Sequence, residues 1–156
     1  ITAFYNVLVD SDDMNEPITD AVRGILDGHI VLSRKLAQAY HYPAIDVLAS
    51  ISRLSKRVSG KMTQKACAKI RTLMATYQNN EAAIVSGIYA KGNSPAIDEA
   101  IDMHQPIEEF LTQEEYEPSS MKETLDKLAS LSDVKIPETE YVEAPALVVS
   151  EPVENE

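Results

Sequence analysis

The hydrophobic pattern of this chain changes near Lys61, and that change limits it to two kinds of structure in series. Ahead of Lys61, apolar residues fall in short runs of strand length separated by polar turns; behind it they recur at helical spacing. Residues 2–9 (Thr-Ala-Phe-Tyr-Asn-Val-Leu-Val) are nearly continuous β-formers on both faces, as in a central strand of a parallel sheet covered by helices on both sides. A polar, acidic loop follows over residues 10–16. Pro17 then suits a first helical turn, and Ile18, Ala21, Val22, Ile25 and Leu26 keep helical spacing until Gly28. Residues 29–32 read as a second short strand. Residues 33–40 read as a short helix that stops ahead of Pro43, because a proline pushes its predecessor out of the helical region.

Beyond Lys61 the stripes are Met62, Ala66, Ile70, Leu73, Met74 and Tyr77, then Ile84, Val85, Ile88 and Tyr89, ended by Gly92 and Pro95. A third helix uses Ile97, Ala100 and Ile101, and Pro106 opens a short one with Ile107, Phe110 and Leu111. The last carries Met121, Leu125, Leu128, Ala129 and Leu131. Short helices with short connections predict a small helical domain. After Leu131, three prolines, many glutamates and no period predict disorder. The expected organisation is thus an α/β segment over 1–58, a helical domain over 59–131 and an acidic disordered tail over 132–156.

A chain of 156 residues holds one ordinary domain, or the end of one and a small second one. It opens at Ile1 inside a strand-like run, which reads as a truncation. No apolar run approaches the roughly 18–20 residues that span a bilayer. The single cysteine, Cys67, excludes an intrachain disulfide framework and fits a reducing cytosol. It lies in a helical pattern without a ligand partner and is expected to be an inert, partly buried thiol.

The net charge of −11 is uneven: residues 133–156 carry seven acids against Lys135. Residues 47–80 hold seven bases, Arg53 to Arg71, and no acid. Such a stretch suits nucleic acid, a membrane surface, an acidic partner or nucleotide phosphates, or is simply a solvated helix face.

A phosphate-binding loop needs Gly, four residues, then Gly-Lys-Ser/Thr, so that backbone amides wrap the phosphates and the hydroxyl holds magnesium. Ser59-Gly60-Lys61-Met62 is the one near match. It fails because position 55 is Ser and position 62 is Met. The three histidines, His29, His41 and His104, show no metal spacing and read as structural, and no metal ligands are expected. No nucleophile elbow supports a Ser-His-Asp set.

Arg53 stands out, following the small-residue run Ala49-Ser50-Ile51-Ser52. It reads either as a surface arginine, one paired with Asp46, or as an arginine presented to another subunit's γ-phosphate. Tyr42-Pro43 reads as a turn with a core tyrosine. Asp12, Asp13 and Met14 lie in the acidic loop ahead of the first helix, where acids favour the helix N-terminus.

Taken together, Asp27-Gly-His-Ile-Val-Leu-Ser-Arg34, His41-Tyr-Pro-Ala-Ile-Asp46 and Ser50-Ile-Ser-Arg53 resemble the nucleotide-facing C-terminal half of the rotary ATPase catalytic core. Within that superfamily the chain is most similar to the flagellar protein-export ATPases of type III secretion. Tyr77-Gln78, Glu81, Gly87-Ile-Tyr-Ala-Lys-Gly92, Asp98-Glu-Ala-Ile101 and Ile107-Glu-Glu-Phe-Leu111 resemble their helical C-terminal domain. The likeness covers roughly residues 1–113. The strongly acidic loop of the ATP synthase catalytic subunit is missing, and the acidic tail departs from the family.

The resemblance implies the last strands of a RecA-like parallel sheet followed by a helical domain. It implies ATP with Mg2+ as the intact enzyme's substrate, Tyr42 and Pro43 against adenine, and Arg53 as a trans arginine finger. It places Asp12, Asp13 and Met14 on a central coiled-coil stalk. Implied partners are identical subunits in a ring, export substrates, chaperones and the export gate, in the cytoplasm at the inner face of the membrane, with no nucleic acid. Without a phosphate-binding loop, these residues alone are expected to be inactive. The alternatives are an injectisome (virulence) secretion ATPase, an ATP synthase subunit, or a non-catalytic protein- or RNA-binding module.

Overall fold

The computed structural model describes residues 3, 5–9 and 17–141. The chain divides into two compact units between Val58 and Ser59.

The first unit contains α1 (Pro17–Ile25), β1 (Gly28–Leu32), α2 (Arg34–Gln38), β2 (Ile45–Ser52) and α3 (Ser55–Val58). Among the described residues its sheet is two-stranded and antiparallel, pairing Gly28 with Ser52, His29 with Ile51, Val31 with Asp46 and Leu32 with Ile45. For these two strands, antiparallel pairing replaces the expected parallel one. Residues 5–9 lie outside any strand among the described residues, and Thr2 and Phe4 fall outside the described set. A strand exists only when a neighbour completes its ladder. Among the described residues, β1 and β2 complete only each other's.

The link between β1 and β2 makes them antiparallel. α2 is capped by Ser33, whose Oγ accepts from Leu36 N at 3.4 Å. It ends in a Schellman motif: His41 N donates to Leu36 O (3.0 Å) and Tyr40 N to Ala37 O (3.1 Å), with Tyr40 left-handed at φ 59°. The Tyr42–Pro43 peptide is cis. Ser33 N then donates to Ala44 O at 2.8 Å, joining the ends of the link so that β2 returns against β1.

The register shifts between His29 and Val31, and side chains stitch the irregularity. Ala49 N donates to Asp46 Oδ1 (2.8 Å), Ser50 Oγ donates to Asp46 O (2.6 Å), and Val31 N donates to Ser50 Oγ (3.0 Å). Asp46 is thus engaged within the bulge. Thr19 is the one buried residue of this unit among those described, while Ile25, Ile30 and Leu32 are largely exposed.

The second unit holds the core. α4 (Lys61–Val85), α5 (Pro95–Leu111) and α6 (Met121–Ser132) enclose Ala66, Ile70, Leu73, Ala100, Ile107, Leu125 and Leu128. The i, i+4, i+7 spacing of Ala66, Ile70 and Leu73 puts all three on one face of α4. α4 is longer than its sequence stripe, running without a break through Ile84 and Val85. α5 likewise continues through Pro106, where a new helix was expected. Proline removes one helical hydrogen bond, but the next residue, Ile107, is 2% exposed, and its burial holds the helix across the gap. α6 opens with a capping box between Ser120 and Glu123 and stops at left-handed Asp133 (φ 52°).

The expectation of disorder from residue 132 onward fails for residues 132–141. Val134 and Ile136, two apart as in an extended chain, are buried in the core. Glu140, in a single 3-10 turn (Glu138–Glu140), accepts from Met62 N (3.0 Å), Thr63 N (2.8 Å) and Thr63 Oγ1 (2.8 Å). It thereby satisfies orphan donors at the start of α4. A Cβ on Gly60 would lie 2.0 Å from Glu140 Cδ, so glycine there leaves room for the carboxylate. Tyr141 Oη donates to Asp126 Oδ1 at 2.6 Å. A low-hydropathy glutamate reads as solvated unless the helix end it caps is known. Residues 142–156 lie outside the described set.

The backbone N–H of Thr63, joined by that of Met62 and the Thr63 hydroxyl, holds the Glu140 carboxyl below its ordinary value of 4.5. A depressed carboxyl contributes stability above its unfolded value and loses it as pH falls through the folded one. Glu140→Gln is therefore expected to melt below the parent near neutral pH, with the gap closing as pH falls below 4.5. Helical circular dichroism melts across that range check this; a gap of equal depth at both ends would show that the charge has no part in it.

Candidate functional site

β2 carries the singled-out residues at its two ends. It is eight residues long, so at about 3.3 Å per residue it spans roughly 25 Å. The Tyr42–Pro43 corner precedes it, and Arg53 follows it directly. Tyr42 is 50% exposed and Pro43 is exposed, so the ring is not the core tyrosine that the bare sequence allows. Pro43 O accepts from Ile45 N at 2.8 Å, fixing the corner against the start of the strand.

Arg53 is exposed but anchored. Its N–H donates to Asp27 O at 2.8 Å, extending the ladder one step beyond the Gly28–Ser52 pair. Its Nη2 donates to Arg23 O at 3.3 Å, so the guanidinium meets the carbonyl-bearing end of α1. α1, β1 and β2 converge here on a hollow of about 250 Å³, lined by Asp20, Arg23, Gly24, Gly28, His29, Ile51 and Arg53. A Cβ on Gly28 would lie 2.7 Å from Ile51 O, closer than real contacts, so glycine is what lets the strands close beneath the hollow. His29 Nε2 lies 3.3 Å from Ala49 O.

Sequence reasoning reached Arg53, Tyr42 and Pro43 but missed Arg23. One arginine on an amphipathic helix looks like any other until β2 returns beside it. Asp12, Asp13 and Met14 lie outside the described residues.

A second ordered feature joins α4 to α5. Tyr89 Oη contacts Asp98 Oδ1 (2.9 Å) and accepts from Ser94 N (3.0 Å), while Gly92 N donates to Asp98 Oδ2 (2.9 Å). Gly87 (φ 72°) and Gly92 (φ 102°) supply the left-handed turns that let this connection reverse. Burial, with the Asp98 hydrogen bond, pushes the Tyr89 hydroxyl up, so it stays protonated as a donor. The loop holds Val85 (76%) and Ile88 (81%) out to solvent.

Tyr77 stacks on His104 with centroids 3.6 Å apart, giving that histidine the structural setting expected of it. Cys67 is exposed rather than partly buried. In the basic stretch, Lys69 pairs with Glu99 at 3.1 Å. Among the described residues no group of three or more His, Cys, Asp or Glu is placed to hold a metal, and no helix is long and apolar enough to cross a membrane.

Residues 1–52 match the ATP synthase alpha/beta family, nucleotide-binding domain, and residues 60–130 match the T3SS EscN ATPase C-terminal domain. The chain is 52% identical over 132 residues to the flagellum-specific ATP synthase of Bacillus subtilis, covering 85% of itself and 30% of that protein. To the type 3 secretion system ATPase of Pseudomonas syringae pv. syringae it is 48% identical over 138 residues, covering 88% and 30%. The assembled ATPase EscN of the enteropathogenic E. coli type III secretion system matches with a TM-score of 0.77 at 42% identity, over 81% of this chain and 31% of that one. EscN in complex with its central stalk EscO gives 0.71 at 41% identity, over 75% and 29%.

The two units thus match successive domains of one class of protein, the ATP synthase alpha/beta superfamily. Within it, residues 60–130 belong to the T3SS EscN ATPase C-terminal domain family, and the chain is similar to flagellum-specific and type 3 secretion ATPases. It spans about 30% of the length of the curated relatives it matches.

Proposed function

We propose that this chain is the C-terminal part of the ATP-hydrolysing motor of the flagellar type III protein export apparatus, acting in a ring of identical subunits. The observation that carries this is the placement of Arg53: exposed, directly after β2, and braced by the carbonyls of Asp27 and Arg23. A guanidinium held this way on a surface serves a neighbour's γ-phosphate, where it offsets charge spreading over the equatorial oxygens. The Tyr42–Pro43 corner, half-exposed at the other end of β2, forms the adenine wall of the subunit's own pocket. Two different surfaces on one chain that complement each other produce a head-to-tail, closed assembly. The exposed Ile25, Ile30 and Leu32 of the first unit fit a piece that is covered by further protein.

ATP with Mg2+ is the substrate of the intact enzyme. The 156 residues alone do not turn over ATP, since no phosphate-binding loop lies among them. The family likeness assigns binding of the central stalk to Asp12, Asp13 and Met14. Export substrates and chaperones dock on the helical unit, with the Val85–Ile88 surface a candidate, and the motor works in the cytoplasm at the export gate.

Subunit mixing tests the shared site. Intact subunits bearing Arg53→Ala and subunits lacking the phosphate-loop lysine are each expected to be inactive, yet mixed rings regain part of the activity, because some interfaces pair an intact loop with an intact finger. No recovery on mixing would place Arg53 in its own subunit's site and end the proposal. Separately, Tyr42→Ala is expected to raise the KM for ATP about tenfold with kcat little changed, since stacking holds ground state and transition state alike. Steady-state ATPase kinetics check this.

A further inference from the structure

Arg53 shares its hollow with a second guanidinium-bearing residue. Arg23, on the last turn of α1, and Arg53, past the end of β2, line the same space of about 250 Å³, together with Asp20 on the preceding turn. Two hydrogen bonds hold Arg53 here: Arg53 N donates to the backbone carbonyl of Asp27, and the Arg53 side chain, through Nη2, to the carbonyl of Arg23 itself.

We infer that Arg23 is a second trans cation, completing with Arg53 a phosphate-binding hollow for the terminal phosphate of the nucleotide held by the adjoining subunit. This rests on Arg53 acting across the subunit boundary. A guanidinium has five N–H donors in a fixed fork. Arg53 commits one to the Arg23 carbonyl, which orients the group and leaves the rest for an anion. Arg23 and Arg53 both line this hollow, and an anion entering it is drawn to their combined positive charge. Asp20 on the same wall offsets part of their charge in the empty state. The arrangement suits charge that arrives late: the three equatorial oxygens of a phosphoryl group in transfer need more donors than one arginine can aim at them. Because Arg53 leans on the backbone of Arg23, the Arg23 side chain can be changed without removing that support.

The test uses the full-length ring. Arg23→Gln is expected to lower kcat by about 10- to 100-fold. The KM for ATP should stay within about twofold, and affinity for ADP–aluminium fluoride, which mimics the transferring phosphoryl group, should fall by a similar factor to kcat. Arg23→Lys, which returns the charge, should recover most of both. Wild-type kcat in Arg23→Gln, in a protein where Arg53→Ala collapses turnover, overturns the role of Arg23 and leaves that of Arg53 standing. Normal turnover in Arg53→Ala overturns the shared site itself. Loss of ring assembly, or of ATP affinity as large as the loss of kcat, in both Arg23 variants assigns the residue to structure and also overturns the proposal.

Discussion

Arg53→Ala in the intact ring is expected to lower ATP turnover by about 10³-fold or more, while nucleotide affinity stays within about twofold of the parent. The size follows from the chemistry. Phosphoryl transfer makes few new bonds that protein groups can assist, so catalysis rests on positioning and on charge that meets the transition state, and a finger supplied in trans contributes about 10³–10⁵ in rate. The small effect on binding follows from geometry, since the Tyr42–Pro43 corner proposed to hold adenine lies at the far end of β2 and is untouched. Little cost to the fold is expected: Arg53 is exposed, its N–H to Asp27 O is a main-chain bond that alanine keeps, and the lost bond to Arg23 O is long at 3.3 Å. Single-turnover kinetics beside equilibrium binding of a non-hydrolysable ATP analogue separate the two quantities. A parallel fall in both would mean that Arg53 holds the fold together instead.

Ile107→Ala is expected to destabilise the helical unit by about 2–5 kcal/mol, lowering its melting temperature by about 10–30 °C. Ile107 is 2% exposed and sits in the common core of α4, α5 and α6 beside Ala100 at 1%. Truncating it loses transfer free energy and leaves a cavity that its neighbours close only in part. The position has a second consequence. Pro106 has already removed a hydrogen bond from α5, and burial of Ile107 is what carries the helix past that gap. Amide exchange should therefore rise first over residues 107–111. Ile88→Ala is the contrasting case: at 81% exposure it should change stability by no more than about 0.5 kcal/mol. Thermal melts of the pair check both statements, and equal shifts would mean that the core lies elsewhere.

The amino-acid sequence by itself determined the helices and their buried faces. Ala66, Ile70, Leu73, Leu125 and Leu128 announce themselves because helical periodicity is local, and each residue's face follows from its neighbours three and four away. The Ser120–Glu123 capping box and the end of α1 near Gly28 are also written within a few residues. The motifs that led to the family were legible for the same reason: the Tyr42–Pro43 corner and Ser52-Arg53 are contiguous. Tertiary structure alone decided what depends on residues far apart. Strand direction came from the link that joins Ser33 to Ala44, and hence β1 and β2 are antiparallel. The bond from the Arg53 guanidinium to the Arg23 carbonyl needed residues thirty apart to meet. Glu140 reads as one more acid of a polar tail, yet it closes the N-terminus of α4 across 78 residues, because unpaired helix amides attract a carboxylate wherever the chain brings one.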